Sequence, residues 1–404
     1  MRLVWFSHFV PYPPKGGNLQ RSYNLIRQAA NSFEITLVAL NFLSEPSERL
    51  RSHAVELNKY CDRVVFWDLP FPWKGHRWWA AALASPFSST PFSCRALYST
   101  DLQSRWEGVL RDCPGGLLHF DSIDLALFAG ASNGFRKVLN HHNCESALAF
   151  RRVQRESNPV AKGFLGLQAH KLRRMELSTC ASFDLNVVVS EQDATLLRAI
   201  QPRANIAVVE NGVDTGHFVP SPEQEQPNTL AFTGLLDWYA NVSGIRFFVR
   251  EVWPHVKSRF PDARLYLAGR NPSKEVLAIA KTDPNIVVIP NPDDMRPILA
   301  RAAVVICPLL EGGGTRLKIL DAMAMGKPVV STTIGCEGLR VTHGNNILVA
   351  DAPHDFAAAV IELLENEECR RRVGGSGRAL VDREYAWERI GRQLQHAYQC
   401  ALDS

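Results

Sequence analysis

The chain reads as an α/β protein of two domains built on parallel sheets, and three observations carry that reading. At 404 residues it is too long for one hydrophobic core, and two domains of roughly 200 residues each suit the size at which single cores stop growing. An apolar strand, a glycine turn and a helix follow one another twice: at 3–6 with Gly16 and Gly17, and at 303–306 with Gly312, Gly313 and Gly314. Between these copies lies VPSPEQEQPN (219–228), rich in Pro and Glu and without apolar periodicity, which reads as an interdomain linker.

Taken in order, LVWF at 3–6 makes the first strand, SHFVPYPPKGGNLQR leads into a helix over about 21–30, and EITLVALNF at 34–42 is the next strand. This β-α-β order predicts a parallel sheet. Residues 71–93 hold Phe71, Trp73, Trp78, Trp79, Phe87 and Phe92 among prolines and serines, with Lys74 and Arg77 nearby. That stretch suits either a membrane interface or a helical hairpin packed on the sheet. Strands follow at 116–120 and 136–140, then a long basic helix over about 159–181 and a buried strand at 184–190. Ser190 caps a helix with Glu191 and Asp193 in its first turn, which suits the helix dipole. A last strand and turn fall at 206–214.

The second domain opens with TLAFTG (229–234), then a helix from about Ile245 to Phe260. Strands at 264–269 and 285–290 and a short helix at 292–302 lead to the strand at 303–306. After a small strand within 343–351, amphipathic helices cover about 353–366 and 367–382. The tail repeats Trp387, Ile390, Leu394, Ala397 and Ala401 at three- and four-residue steps, the spacing of a packed helix. The divisions expected are 1–212, 213–384 with the linker at about 215–228, and a closing helix at 385–404 that packs back toward the first domain.

The stretch CPLLEGGGTRLKILDAMAMGKPVV (307–330) concentrates the chemistry. A helix N-terminus leaves backbone N–H groups unpaired and carries about half a positive charge, so it receives anions. Glycines let that backbone approach a ligand closely. Arg316 and Lys318 add two cations where they oppose the dipole, an arrangement that a phosphate would stabilise. Gly326 offers a left-handed helix end before Pro328. The glycines alone also suit a purely steric turn; in combination with Arg316, Lys318 and Asp321 they point to a phosphate. In the first domain, His141, His142, Asn143, Cys144 and Glu145 sit at the end of a strand, where open α/β sheets place their chemistry. A histidine there serves either as a cap or as a proton carrier that Glu145 could orient.

Charge and cysteines bound the rest. The net charge is +4, yet residues 1–212 hold 24 Lys and Arg against 18 Asp and Glu. Within 136–174, nine basic residues face only Glu145 and Glu156. Such an excess suits a lipid headgroup or a diphosphate, and equally a solvated helix face. Nine cysteines without a C-x-x-C pair suggest reduced thiols filling the core of a cytoplasmic protein. No run approaches the ~18 apolar residues of a spanning helix. A nicotinamide enzyme is disfavoured because G-x-G-x-x-G is absent, and a nucleic-acid binder because aromatics are not interleaved with the basic run.

NGVDTGHF (211–218), GGGTRLKILDAM (312–323) running into AMGKPVVST (324–332), and the closing Tyr-x-Trp helix resemble the retaining glycosyltransferases of family 4, from end to end. HHNCES (141–146) and GLLDWYANVSGIRFF (234–248) resemble its exopolysaccharide and surface-glycan branch. The resemblance implies the GT-B fold, two Rossmann-like domains facing across a cleft, and a nucleotide-sugar donor held mostly by the second. Arg316 and Lys318 would neutralise the diphosphate as the sugar departs. His142 would touch the donor sugar near the reacting carbon, and Asp321 would hold the ribose. Gly16, Gly17, Asn143, Glu145, Glu311, Gly312, Gly313, Gly314 and Thr315 complete the expected donor contacts. Gly313 stands where the family has its first acid, leaving Glu311 or a backbone group to replace it. The family's Arg and Lys after the first strand of the second domain are missing, since Gly234 is followed by Leu235, Leu236, Asp237 and Trp238; Arg316 and Lys318 would replace them. No metal and no cofactor are implied. The expected partners are the donor, a glycan or lipid-linked acceptor, and an anionic membrane touched peripherally from the cytoplasm; no nucleic acid is expected. The alternatives are a catalytically inactive nucleotide-sugar-binding or scaffold protein, and a sugar-nucleotide epimerase of the same fold.

Overall fold

The computed structural model describes residues 1–69, 82–132, 134–221 and 224–403. Phe71, Trp73, Lys74, Arg77, Trp78 and Trp79 of the aromatic stretch lie outside them. The chain divides into two compact units: residues 1–210 with 388–404, and residues 211–387. The Pro- and Glu-rich stretch therefore falls within the second unit, where Gln226 N donates to the Arg301 carbonyl at 2.9 Å and the Asn228 carbonyl accepts from Arg264 N at 2.9 Å. Composition marks it as a linker, but its backbone groups are engaged.

The first unit holds β1 (Arg2–Ser7), β2 (Glu34–Asn41), β3 (Arg63–Asp68), β4 (Leu117–Phe120), β5 (Arg136–Asn140), β6 (Leu185–Val188) and β7 (Ile206–Val208). They form one parallel sheet in the order β3-β2-β1-β4-β5-β6-β7. The order reverses between β1 and β4, whose registers match Phe6 with Phe120. Carboxyl ends of strands at such a reversal leave a crevice for ligands. Under it, Phe6 stacks on Trp106 with ring centroids 4.6 Å apart and meets Phe128 edge-on at 5.1 Å. The helix Trp387–Asp403 buries Ile390, Leu394, Ala397, Tyr398 and Ala401, the stripe its periodicity implies.

The second unit repeats the plan with β8 (Thr229–Thr233), β9 (Arg264–Gly269), β10 (Ile286–Pro290), β11 (Val304–Cys307), β12 (Val329–Ser331) and β13 (Leu348–Val349). The order is β10-β9-β8-β11-β12-β13, again parallel, with the reversal between β8 and β11. Gly234 continues β8 and the glycine-rich turn continues β11, so both leave the sheet at the reversal. The first crossover is longer than its sequence pattern indicates: helix Tyr239–Phe247, a π turn at Phe248–Val252 and helix Trp253–Arg259.

Candidate active site

In the second unit, the turn after β11 folds onto Arg316. Arg316 precedes the helix Leu317–Ala324 rather than lying in its first turn. It is 6% exposed, and its Nη1 donates to the carbonyls of Gly313 and Gly314, the latter at 2.7 Å. Its guanidinium carbon stands 6.0 Å from the centroid of the Trp238 ring. Gly312, at φ 120°, makes this closure possible: a Cβ there would lie 2.7 Å from Arg316 Nη2 and 3.3 Å from the Trp238 ring. Thr315 is tied from behind, its Oγ1 accepting from Asn211 Nδ2 at 2.6 Å.

Lys318 is the second residue of the helix, and its ammonium runs back toward the end of β8. Nζ donates to Asn241 Oδ1 at 2.9 Å and lies 3.9 Å from the centroid of Phe232. Part of the side chain reaches solvent, yet burial around the ammonium pushes its pKa down to about 8; the Cys307 thiol opposes that shift and the Arg316 charge adds to it. Among the described residues no carboxylate pairs with it. Asp321 lies one turn further along the helix, partly exposed, and Glu311 opens the glycine turn. The structure thus gathers Gly312, Gly313, Gly314, Thr315, Arg316 and Lys318 at one strand end.

In the first unit, the reversal holds a buried polar cluster around Asp121, just beyond β4. Oδ2 of Asp121 accepts from Ser7 Oγ at 3.0 Å and Ser22 Oγ at 2.6 Å, and Oδ1 from Asn140 Nδ2 at 3.1 Å. Arg21 fixes Asn140, donating to its Oδ1 through Nη2 at 3.0 Å, while Arg21 Nη1 reaches the Glu210 carbonyl at 3.1 Å. Burial alone would raise the Asp121 carboxyl, but the neighbouring imidazoles of His119, whose Nε2 lies 3.8 Å from Oδ1, His142 and His8 hold it below the ordinary carboxylate range.

His142 Nε2 lies 3.7 Å from Asp121 Oδ1 and makes no hydrogen bond among the described residues. Burial pushes its pKa down to about 3, against the pull of Asp121, so the imidazole is neutral near pH 7. His141 points the other way and is structural: its Nε2 meets Asn186 Oδ1 at 3.1 Å, and burial takes its pKa to about 4. Glu145 does not orient His142; its Oε1 accepts from Asn143 Nδ2 at 3.2 Å, and burial pushes its carboxyl up to about 8. Gly16 and Gly17 open the helix Gly17–Ala29, whose first turn holds no acidic residue and whose next turn supplies Arg21 and Ser22 to the cluster. His8, Asp121 and His142 place one ligand atom each within 4.8 Å of one another, a set among the described residues that could hold a metal. The Asp121 oxygens are already engaged by two serines and Asn140.

Asp121, His8, Arg21 and Asn241 escape the sequence reading. Asp121 and His8 each follow an apolar strand directly, a position that itself marks a candidate. A lone Asn within a helix carries no such mark.

Known proteins resemble this chain in part of its sequence and in its fold. Residues 227–366 match the family model described as Glycosyl transferases group 1. A protein of the Klebsiella pneumoniae cps region, itself uncharacterised, is 30% identical over 168 residues, 40% of this chain and 43% of that protein. A GDP-mannose-dependent phosphatidylinositol monomannoside mannosyltransferase of Corynebacterium glutamicum is 28% identical over 208 residues, 47% of this chain and 55% of that enzyme. The chain spans about half the length of the curated relatives it matches. Sucrose-phosphate synthase from Thermosynechococcus elongatus superposes with a TM-score of 0.74 at 16% identity, covering 100% of both chains. The Anabaena protein HepE with UDP and glucose gives 0.70 at 13% identity, covering 99% and 100%. The chain therefore has the GT-B fold. Its second unit carries a domain of the glycosyl transferases group 1 family.

Proposed function

We propose that this protein is a glycosyltransferase that moves a sugar from a nucleoside-diphosphate donor to a glycan or lipid-linked acceptor, with retention of anomeric configuration, in exopolysaccharide or surface-glycan synthesis. The observation that carries the reading is Lys318: an enclosed ammonium, held by a neutral amide and paired with no carboxylate among the described residues, beside Arg316 at a glycine-rich helix start. Such a site suits a diphosphate, and neutralising charge on a departing diphosphate is the main catalytic help it can give. Asp321 would hold the ribose, and Glu311 or loop N–H groups the sugar hydroxyls that an acid at Gly313 would otherwise meet. His142, neutral and partly uncovered, would hydrogen-bond the donor sugar, with Asn143 and Glu145 beside it. Donor phosphates would also meet the helix start at Gly16 and Gly17. The exposed Arg152, Arg155, Lys162, Arg173 and Arg174 support contact with an anionic membrane.

The presence of Gly313 favours one alternative, a nucleotide-sugar-binding protein without turnover. Binding without transfer would identify it. A thermal-shift series with UDP, GDP, ADP and dTDP tests the donor site, since a ligand at ~100 times its dissociation constant stabilises by about 2.7 kcal/mol. UDP and GDP come first, because HepE was solved with UDP and the Corynebacterium relative is named for GDP-mannose. No shift with any of the four would overturn the reading.

A further inference from the structure

We propose that Asn241 is a positioning residue: its side-chain amide aims the Lys318 ammonium at the open end of β8 without neutralising it, so that the charge remains available to a diphosphate. This rests on the donor-site reading above. Asn241 is 3% exposed, on the helix Tyr239–Phe247. Its Nδ2 donates to the Leu235 carbonyl at 2.6 Å, which fixes the amide so that Oδ1 must face Lys318 Nζ, 2.9 Å away. The ring of Phe232 supports the ammonium from β8 at 3.9 Å. The remaining side is kept open by Gly234, at φ 144°, where a Cβ would lie 2.8 Å from Nζ and 3.0 Å from Asn241 Nδ2.

The choice of amide over carboxylate is the informative feature. Aspartate has nearly the shape of asparagine and would pair with the lysine through one oxygen, but it would neutralise the charge and would lose the bond to the Leu235 carbonyl. A neutral acceptor takes one N–H of the ammonium and leaves two for an anion. The groups facing Lys318 are Asn241 and Phe232 from the neighbouring elements, Arg316 before its own helix, and Cys307 at the end of β11, whose thiol burial raises and thereby keeps neutral. None of them neutralises the ammonium.

The test follows Lys318 directly and through a ligand. In protein labelled with ¹³C-lysine, the Lys318 Cε resonance, assigned by its loss in Lys318→Met, is titrated from pH 6.5 to 10.5 in the wild type and Asn241→Asp. UDP and inorganic pyrophosphate binding is measured by calorimetry on the same proteins and on Asn241→Ala. The Asn241→Asp midpoint should rise by at least about one unit through the added carboxylate. Its UDP affinity should fall at least tenfold, and Asn241→Ala should lose affinity with no such rise. An unchanged midpoint in Asn241→Asp overturns the proposal, as does unaltered UDP affinity with the wild type binding. A raised midpoint in a protein that binds neither UDP nor pyrophosphate supports the positioning role and removes the donor-site reading instead.

Discussion

Replacing Asp121 by Asn removes one charge at the centre of the first unit and leaves its volume almost unchanged. The carboxylate accepts two hydroxyls on Oδ2 and the Asn140 amide on Oδ1. Hydrogen bonds to an ionised group contribute about 1.5–3 kcal/mol each. An amide nitrogen placed at Oδ1 would confront Asn140 Nδ2, and Asn140 is held from turning because its Oδ1 accepts from Arg21 Nε and Nη2 at 3.3 and 3.0 Å. Placed at Oδ2, it would force both serine hydroxyls to turn from donors into acceptors, as Ser22 can by giving its proton to the Asn18 carbonyl at 2.9 Å. In the better orientation three charge-assisted bonds become neutral ones, a cost of about 3–4 kcal/mol. In a unit of this size each kcal/mol lowers melting by about 2–4 °C, so differential scanning calorimetry should show a fall of roughly 10 °C in Asp121→Asn. The exchanged pair Asp121→Asn with Asn140→Asp restores every donor to an acceptor and puts the carboxylate against Arg21; it should recover at least half of that loss. A fall under about 2 °C, or no recovery in the exchange, would refute the view that this network is satisfied as a unit.

Other outcomes follow from the same geometry. Arg316→Ala should lower kcat/KM for sugar transfer about a hundredfold or more, with far-UV circular dichroism unchanged; turnover near the wild type would remove Arg316 from the site. Gly234→Ala places a methyl against Lys318 Nζ and should weaken UDP binding at least tenfold by calorimetry, whereas equal affinity would show that the space is not used. The buried His142 and His141 titrate at about 3 and about 4 when folded but near 6.5 when unfolded. The raised Glu145 carboxyl takes up a proton in the folded state and opposes this, but the two histidines, joined by His8 and His119, which burial also lowers, outnumber it; the unfolded chain therefore binds more protons below pH 6.5, and stability falls as pH drops from there toward 4. Urea midpoints should therefore decline between pH 7 and 4.5; a flat profile would contradict the neutral-histidine assignment. Anionic vesicles should pellet the protein at low salt and release it at high salt, and no pelleting at low salt would end the membrane proposal.

The parallel sheets and most of their strands were legible because buried central strands are short apolar runs bounded by turn residues. β3 was not: RVVFWD sits at the sheet edge, half-covered, without the unbroken apolar character of its neighbours. The helix Glu145–Arg155 was hidden because its start was read as a polar cluster. That start is capped from another helix, where Glu176 accepts from Ser146 N at 3.1 Å and from its hydroxyl. The basic run 136–174 overstated the exposed charge. Lys171 is buried against the Ser85 carbonyl, and Arg136 pairs with Asp184 at 2.8 Å. At the second-unit site, the glycine turn and its two cations stood out in the sequence because their spacing is local. Asn241 and Trp238 did not, since 75 or more residues separate them from the cations they face.

The measurement closest to the central claim is a calorimetric titration of UDP and GDP into the wild type, Arg316→Ala and Lys318→Met at pH 7. The account predicts saturable binding of at least one nucleoside diphosphate by the wild type and a loss of tenfold or more in each variant, with melting temperatures of the free proteins little changed. Absence of binding by the wild type, or equal binding by all three proteins, would contradict a diphosphate site at Arg316 and Lys318.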